Sequence, residues 1–239
     1  MKKFFEDDKF IIRNIETADF QGIQETCSEV YPFISPWRSD QLNSQLSVFP
    51  EGQIVVLDKT KNIVVGLALS LIVRWDDYDI KDSWKDFTDK GYFTNHDPEE
   101  GRTLYGAEIM IRPDCQGKGL GKKLYAARRA IAQDLNLLRI RAGARLRGYS
   151  LYAKELSPEH YVLKVIRKEI FDPTVSFQLK QGFKIIDIVP QYLQNDPESL
   201  GYAVVIEWLN PDESTASHVH DQEMFFKKLE NQTKSKNNS

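Results

Sequence analysis

The sequence predicts an α/β domain built on a mixed sheet with helices packed against it. Two observations carry the prediction. Apolar residues recur with a period of two in some runs and of three to four in others, and the two kinds of run alternate along the chain. One strand-like run, Leu104 to Ile111, then leads into a glycine-spaced turn, Gly117-Lys118-Gly119-Leu120-Gly121, that opens an amphipathic helix.

Taken in order, Phe10 to Ile15 is the first expected strand. Thr17 is placed to cap a helix running to about Val30, with Ile15 stapling its entry. Trp37 to Val48 follows Ser35-Pro36 as a second helix, with Leu42 and Leu46 on one side. Gln53 to Asp58 and Ile63 to Val73 are β-rich and joined by Lys59-Thr60-Lys61-Asn62, which predicts a hairpin. After the glycines, Leu120, Leu124, Ala127, Ile131 and Leu135 mark one apolar helical face, and Leu137 to Ala144 is the next strand. Phe183 to Val189 and Tyr202 to Trp208 complete the sheet, and no segment repeats internally.

Three regions lie outside this scaffold, so the expected organisation is a single domain over 1–209 with insertions at 74–102 and 146–172 and a polar tail at 210–239. Trp75, Tyr78, Trp84, Phe87, Tyr92 and Phe93 predict that the first insertion is packed. In the second, Ser157-Pro158-Glu159 starts a helix through Tyr161, Val165 and Ile166. The tail is expected to hold a short helix near Met224 to Leu229 and to be disordered beyond it.

Composition bounds the function. A chain of 239 residues, 41% hydrophobic, buries a sizeable core. Its net charge of −3 asks for no nucleic acid. Cys27 and Cys115 match no metal or redox spacing. Glu6, Asp7 and Asp8 interrupt any signal-peptide core, and no apolar run reaches the roughly 20 residues of a membrane helix, so a cytoplasmic protein without a membrane partner is expected.

The stretch Ile109 to Gly121 carries the chemistry. Gly117, Gly119 and Gly121 can adopt backbone angles closed to other residues, so that consecutive N–H groups converge on an anion at the positive end of the helix. Two better-known phosphate loops do not fit. A Walker A loop, G-x-x-x-x-G-K-S/T, needs a hydroxyl where Lys123 stands, and a dinucleotide fingerprint needs G-x-G-x-x-G in place of the observed G-x-G-x-G.

Ile111-Arg112-Pro113, then Gln116-Gly117-Lys118-Gly119-Leu120-Gly121, resembles the signature of the GNAT acyl-CoA N-acyltransferases, Q/R-x-x-G-x-G/A opening a helix after a strand and V-x-P. Phe177-Gln178-Leu179-Lys180-Gln181-Gly182-Phe183 is similar to the family's F-Y-x-x-x-G-F passage, and the resemblance extends over most of residues 10 to 209. The insertions also resemble GNAT domains fused ahead of carbon–nitrogen hydrolase domains. The resemblance implies a central, mostly antiparallel sheet flanked by helices, with acetyl-CoA as cosubstrate and no metal. Met110, Ile111, Arg112, Pro113, Gln116, Gly117, Lys118, Gly119, Leu120, Gly121 and Lys122 are then the residues expected to hold coenzyme A. A small-molecule or peptide amine is the implied acceptor, and a homodimer is consistent with the family habit.

In that chemistry an amine attacks the thioester directly, and backbone N–H groups near Met110 and Ile111 polarise the carbonyl. An alkyl amine of pKa near 10.4 needs a base or a water relay at pH 7. Glu108, on the cradle strand, is the first candidate, against the alternative of an outward-facing strand residue; His96 is the second, against an ordinary loop histidine. Gln178 stands where many relatives place a tyrosine acid. Tyr149, Tyr152 or Tyr192 are substitutes, and unassisted departure of the thiolate or loss of catalysis are the other readings. Basic residues from Lys122 to Arg147, Arg128, Arg141 and Arg145 among them, are candidates for phosphate contacts or for a solvated face, with Lys122 and Lys123 ahead of the rest because they sit in the first turn beside the cradle. Cys115 lacks a partner base, and His218, His220 and Asp221 form an incidental cluster rather than a metal site. Two functions remain, an acetyl-CoA-dependent N-acetyltransferase and a non-catalytic acyl-CoA-binding module.

Overall fold

The computed structural model describes residues 2–32, 34–220, 224–227 and 229–231. It divides into two compact units, Met1–Trp75 with Lys85–Ile140, and Asp76–Trp84 with Arg141–Ser239.

The first unit is built on a five-stranded antiparallel meander, β1 (Lys3–Glu6), β2 (Phe10–Asn14), β3 (Ile54–Asp58), β4 (Ile63–Val73) and β5 (Thr103–Ile111), in that order. β4 is buried along nearly its whole length, as a run that is apolar but for Ser70 requires. Helices α1 (Phe20–Val30), α2 (Ser39–Val48) and α4 (Leu120–Asp134) complete the unit, with a short α3 (Trp84–Thr88) inside the first insertion. α1 buries Phe20, Ile23 and Cys27, and Thr26 Oγ1 donates to the Val64 carbonyl at 2.8 Å. A Cβ on Gly22 would lie 2.8 Å from Val64 Cγ2, so glycine is what lets α1 approach β4 this closely.

Three expectations change here. Thr17 does not cap α1. It opens a short 3-10 turn, Thr17–Asp19, in which Asp19 accepts the Glu16 N–H at 2.8 Å and two bonds from Arg13. Asp19, two residues after Thr17, closes the capping box of this turn and also neutralises the partly buried guanidinium, while α1 itself has no side-chain cap. β1 is a strand that periodicity missed, since its four residues are half exposed and pair with β2. The second helix begins at Ser39, two residues after Trp37, because Arg38 is still extended.

The first insertion is ordered by stacking, as its aromatics predicted: Trp75 on Phe87 at 5.1 Å, Phe87 on Tyr105 at 4.7 Å, and Trp37 edge-on to Phe93 at 6.1 Å.

The second unit contains β6 (Arg139–Arg145) from Arg141 onward, α5 (Pro158–Ile166), α6 (Val175–Lys180), β7 (Lys184–Val189) and β8 (Ala203–Leu209). β8 lies between β6 and β7 and runs antiparallel to β7. α5 starts at the expected Ser157, whose Oγ accepts the His160 N–H at 3.3 Å. Asp172, fully buried, accepts from Tyr161 Oη and from the N–H groups of Gly148, Thr174 and Val175, which orders the second insertion. Residues 224–227 and 229–231 are helical; the expected disorder beyond Leu229 falls mainly on 232–239, which lie outside the described residues, as does Asp221. Among the described residues no group of three or more histidine, cysteine, aspartate or glutamate side chains is arranged to hold a metal ion. No described helix is long and apolar enough to cross a membrane.

Candidate active site

The cradle begins where β5 ends. Arg112 N–H still donates to the Val65 carbonyl on β4, at 2.9 Å, and its guanidinium is held by Glu29 at 2.6 Å. Pro113–Cys115 forms a single 3-10 turn, and Gln116 Nε2 reaches back to the Ile111 carbonyl at 3.1 Å. Gly117 and Gly119 then take φ of 75° and 76°, the left-handed region that favours glycine. Gly121 does not; it lies in the first turn of α4 and supplies an N–H rather than an unusual angle.

Gly119 is the N-cap of α4 and no side chain caps the helix. The first backbone bond is from Lys123 N–H to the Gly119 carbonyl at 3.2 Å, so the N–H groups of Leu120, Gly121 and Lys122 face outward from the helix end. A Cβ added to Gly117 or Gly119 would meet nothing within 4 Å, so the cradle opens onto free space. An uncapped helix terminus with three outward N–H groups and room in front of it fits a pyrophosphate.

The basic residues divide sharply. Lys118 Nζ bonds the Asp114 carbonyl at 2.6 Å, beside the cradle. Lys123 is turned onto the Phe5 ring, 3.4 Å from its centroid. Arg141 and Arg145 are neither phosphate ligands nor solvated. Arg141 pairs with Glu207 at 2.7 Å, and Arg145 pairs with Asp196 at 2.6 Å and Glu198 at 2.5 Å, all within the second unit. Arg128 is 1% exposed, in the core of the first unit. Helical spacing carried a signal for it, since it stands four residues after Leu124 and three before Ile131 on the apolar face.

Upstream of the cradle β5 is irregular. Leu69 faces Glu108 and Ser70 faces Gly106, which leaves Ala107 as the extra residue of a bulge. Glu108 is half-buried just after it, and its Oε1 accepts the N–H of Ile109 at 2.9 Å. Its charge is felt at Cys27 on α1, whose thiol burial and Glu108 together push up to about 12.

His96 serves a different end of β4. Its Nδ1 accepts the Ile72 N–H at 3.0 Å, its ring stacks on Phe49 at 4.5 Å, and Asp97 N–H donates to the Ile72 carbonyl at 2.9 Å. The Nδ1 lone pair is therefore committed to backbone, and the proton resides on Nε2, which makes His96 a donor. Burial lowers its pKa, opposed by Asp97 and Glu51.

In the second unit Gln178 is 4% exposed on α6. Tyr149 Oη donates to the Leu156 carbonyl at 3.1 Å. The Tyr192 ring lies where a Cβ on Gly143 would be, 2.0 Å from Tyr192 Cζ. Two of the tyrosines considered as acids are thus packed into the unit's own structure.

A strand that ends in a glycine-built, uncapped helix terminus, on a largely antiparallel sheet flanked by helices, defines an acyl-CoA N-acyltransferase fold. The model of the acetyltransferase (GNAT) family matches residues 11–156, and the chain belongs to that family. It is 40% identical over 204 residues to the probable hydrolase YhcX of Bacillus subtilis (strain 168), covering 85% of this chain and 39% of that protein, so the chain spans about two fifths of that relative's length. It is 34% identical over 203 residues to the uncharacterized N-acetyltransferase YkwB of the same organism, covering 83% of this chain and 88% of that one. The GNAT-like decarboxylase GphF in complex with isobutyryl-CoA superposes with a TM-score of 0.70 at 19% identity, over 83% of this chain and 98% of the other.

Proposed function

We propose that the protein transfers an acetyl group from acetyl-CoA to a primary amine of a small molecule or peptide, by direct attack on the thioester. The observation that carries this reading is the open, uncapped cradle at Gly117, Gly119 and the first turn of α4. The pyrophosphate is received by the N–H groups from Gly117 to Lys122, with Lys118 beside it. Met110, Ile111, Arg112 and Pro113 line the approach of the pantetheine arm. Because Arg112 N–H points to β4, strand alternation turns the Ile111 N–H away from β4, where it is available to the thioester carbonyl as charge develops there.

Glu108 is the base of this scheme. Its position just after the bulge and its proximity to the strand N–H groups support that role over His96, whose Nδ1 is already bonded. With Gln178 in place of a tyrosine, the thiolate departs unassisted, which a thiol of pKa near 8.5 permits. The excess of acidic over basic residues in the first insertion supports a cationic acceptor. Free, buried Cys27 and Cys115 accord with a cytoplasmic location.

Gln178, standing where many relatives place a tyrosine acid, supports a second reading, an acyl-CoA-binding module that does no transfer. Release of free coenzyme A from acetyl-CoA, measured with polyamines, amino acids, aminoglycosides and N-terminal peptides, separates the two. Amine-dependent release that Gly119→Trp abolishes is the expected result. Tight coenzyme A binding with no release across the panel overturns the enzyme reading in favour of the module.

A further inference from the structure

Among the described residues Arg128 is the largest side chain with almost no exposure. Its guanidinium donates to three oxygens, Ser70 Oγ at 3.0 Å, the Leu69 carbonyl at 3.0 Å and the Glu108 carbonyl at 2.5 Å, and none of them is a carboxylate. The Tyr125 ring lies 5.9 Å from it. A guanidinium taken out of water among neutral acceptors is costly, and an apolar side chain of the same volume would fill the space without that cost. Something other than packing keeps the charge there.

The Glu108 carbonyl and the Ile109 N–H belong to one peptide group. Arg128 Nη2 donates to the oxygen of that peptide, and its N–H donates to Glu108 Oε1. The three groups form an unbroken hydrogen-bond chain from a positive charge to the carboxylate, and each bond in such a chain polarises the next. The same arginine clamps Leu69 and Glu108, the pair adjoining the Ala107 bulge, so the strand cannot slip by one residue and carry Glu108 to the opposite face.

We infer that Arg128 is a positioning residue for Glu108, holding its carboxylate on the Ile109 N–H through the shared peptide and locking the bulge that orients it. The inference rests on the reading of Glu108 as base for its catalytic consequence, and its structural part is testable without turnover.

Amide hydrogen exchange of Ile109 and Arg112, followed by NMR on the ligand-free protein, tests that part. Arg112 N–H sits in the β4 ladder and serves as the internal reference. In Arg128→Met the Ile109 amide should exchange about tenfold faster with Arg112 unchanged, and Arg128→Lys, which keeps the charge and loses the fork, should restore part of the protection. Equal acceleration of both amides, or of neither, overturns the proposal, and Arg128→Lys carries the test alone if the methionine variant does not fold. In turnover, Arg128→Met should lower kcat about tenfold with coenzyme A affinity unchanged, and the Glu108→Gln/Arg128→Met double variant should be no slower than Glu108→Gln alone. Additive losses overturn action through Glu108. Full activity in Glu108→Gln overturns the base reading instead, and the exchange result then stands or falls separately.

Discussion

His96 gives its Nδ1 to the backbone N–H of Ile72, at 3.0 Å, and so extends the edge of β4 beyond Ala68, the last residue paired to β3. Gln53 does the same one step earlier, with Nε2 donating to the Ser70 carbonyl at 2.8 Å. Two side chains thus replace a strand that ends too soon.

A histidine held this way is stable only while neutral. Burial holds its pKa below the ordinary 6.5, so the unfolded chain binds the proton more readily than the folded one. Its contribution to stability is complete above about pH 6.5 and is lost as the pH falls below that value. Thermal midpoints of wild type and His96→Gln should therefore converge on moving from pH 7.5 to 5. A constant gap between them across that range would contradict the bond.

Gly119 and Gly182 both have positive φ, 76° and 83°, and both face open space. Alanine at either position introduces roughly 1–2 kcal/mol of backbone strain. Gly119→Ala and Gly182→Ala should lower the urea midpoint to a similar degree. Only Gly119→Ala should weaken coenzyme A binding, by about tenfold in calorimetric titration, because only its Cβ enters the space before the cradle.

Asp172 collects four donors in a site with no exposure. Asp172→Asn keeps the shape but turns one acceptor into a donor facing the Gly148 N–H and Tyr161 Oη. The expected loss is roughly 2–3 kcal/mol in denaturant unfolding, and Tyr161→Phe, which removes one donor, should cost less. Equal stability of Asp172→Asn and wild type would remove this anchor from the account of the second insertion.

Cys27 is buried and its thiol lies near pKa 12, while burial also raises Cys115. At pH 8 roughly one Cys27 in ten thousand is thiolate. A thiol reagent such as dithionitrobenzoate should label neither cysteine in the native protein and both in urea. Rapid native labelling of Cys115 would reopen a nucleophilic role beside the cradle.

Much of this molecule is local enough to be legible in its sequence. The span of β4 is the one its apolar run marks, Ile63–Val73, and α5 starts at the serine whose hydroxyl caps it. The cradle was legible for the same reason: left-handed glycines and an uncapped helix end are properties of a few consecutive residues.

The hydrogen-bond partners of Arg128 and the Ala107 bulge were not. On the helix Arg128 is one more basic residue between Leu124 and Ile131, and its burial depends on Ser70 and Leu69, 58 and 59 positions away. A bulge is a mismatch of register between two strands, so neither strand reveals it alone. By itself the sequence determined most of the strands and helices and the glycine-built turn, because backbone preference and side-chain period act over neighbours. Which ionisable groups are buried, paired or held against the strand was decided only by tertiary structure, because desolvation and hydrogen bonding depend on residues that folding brings together.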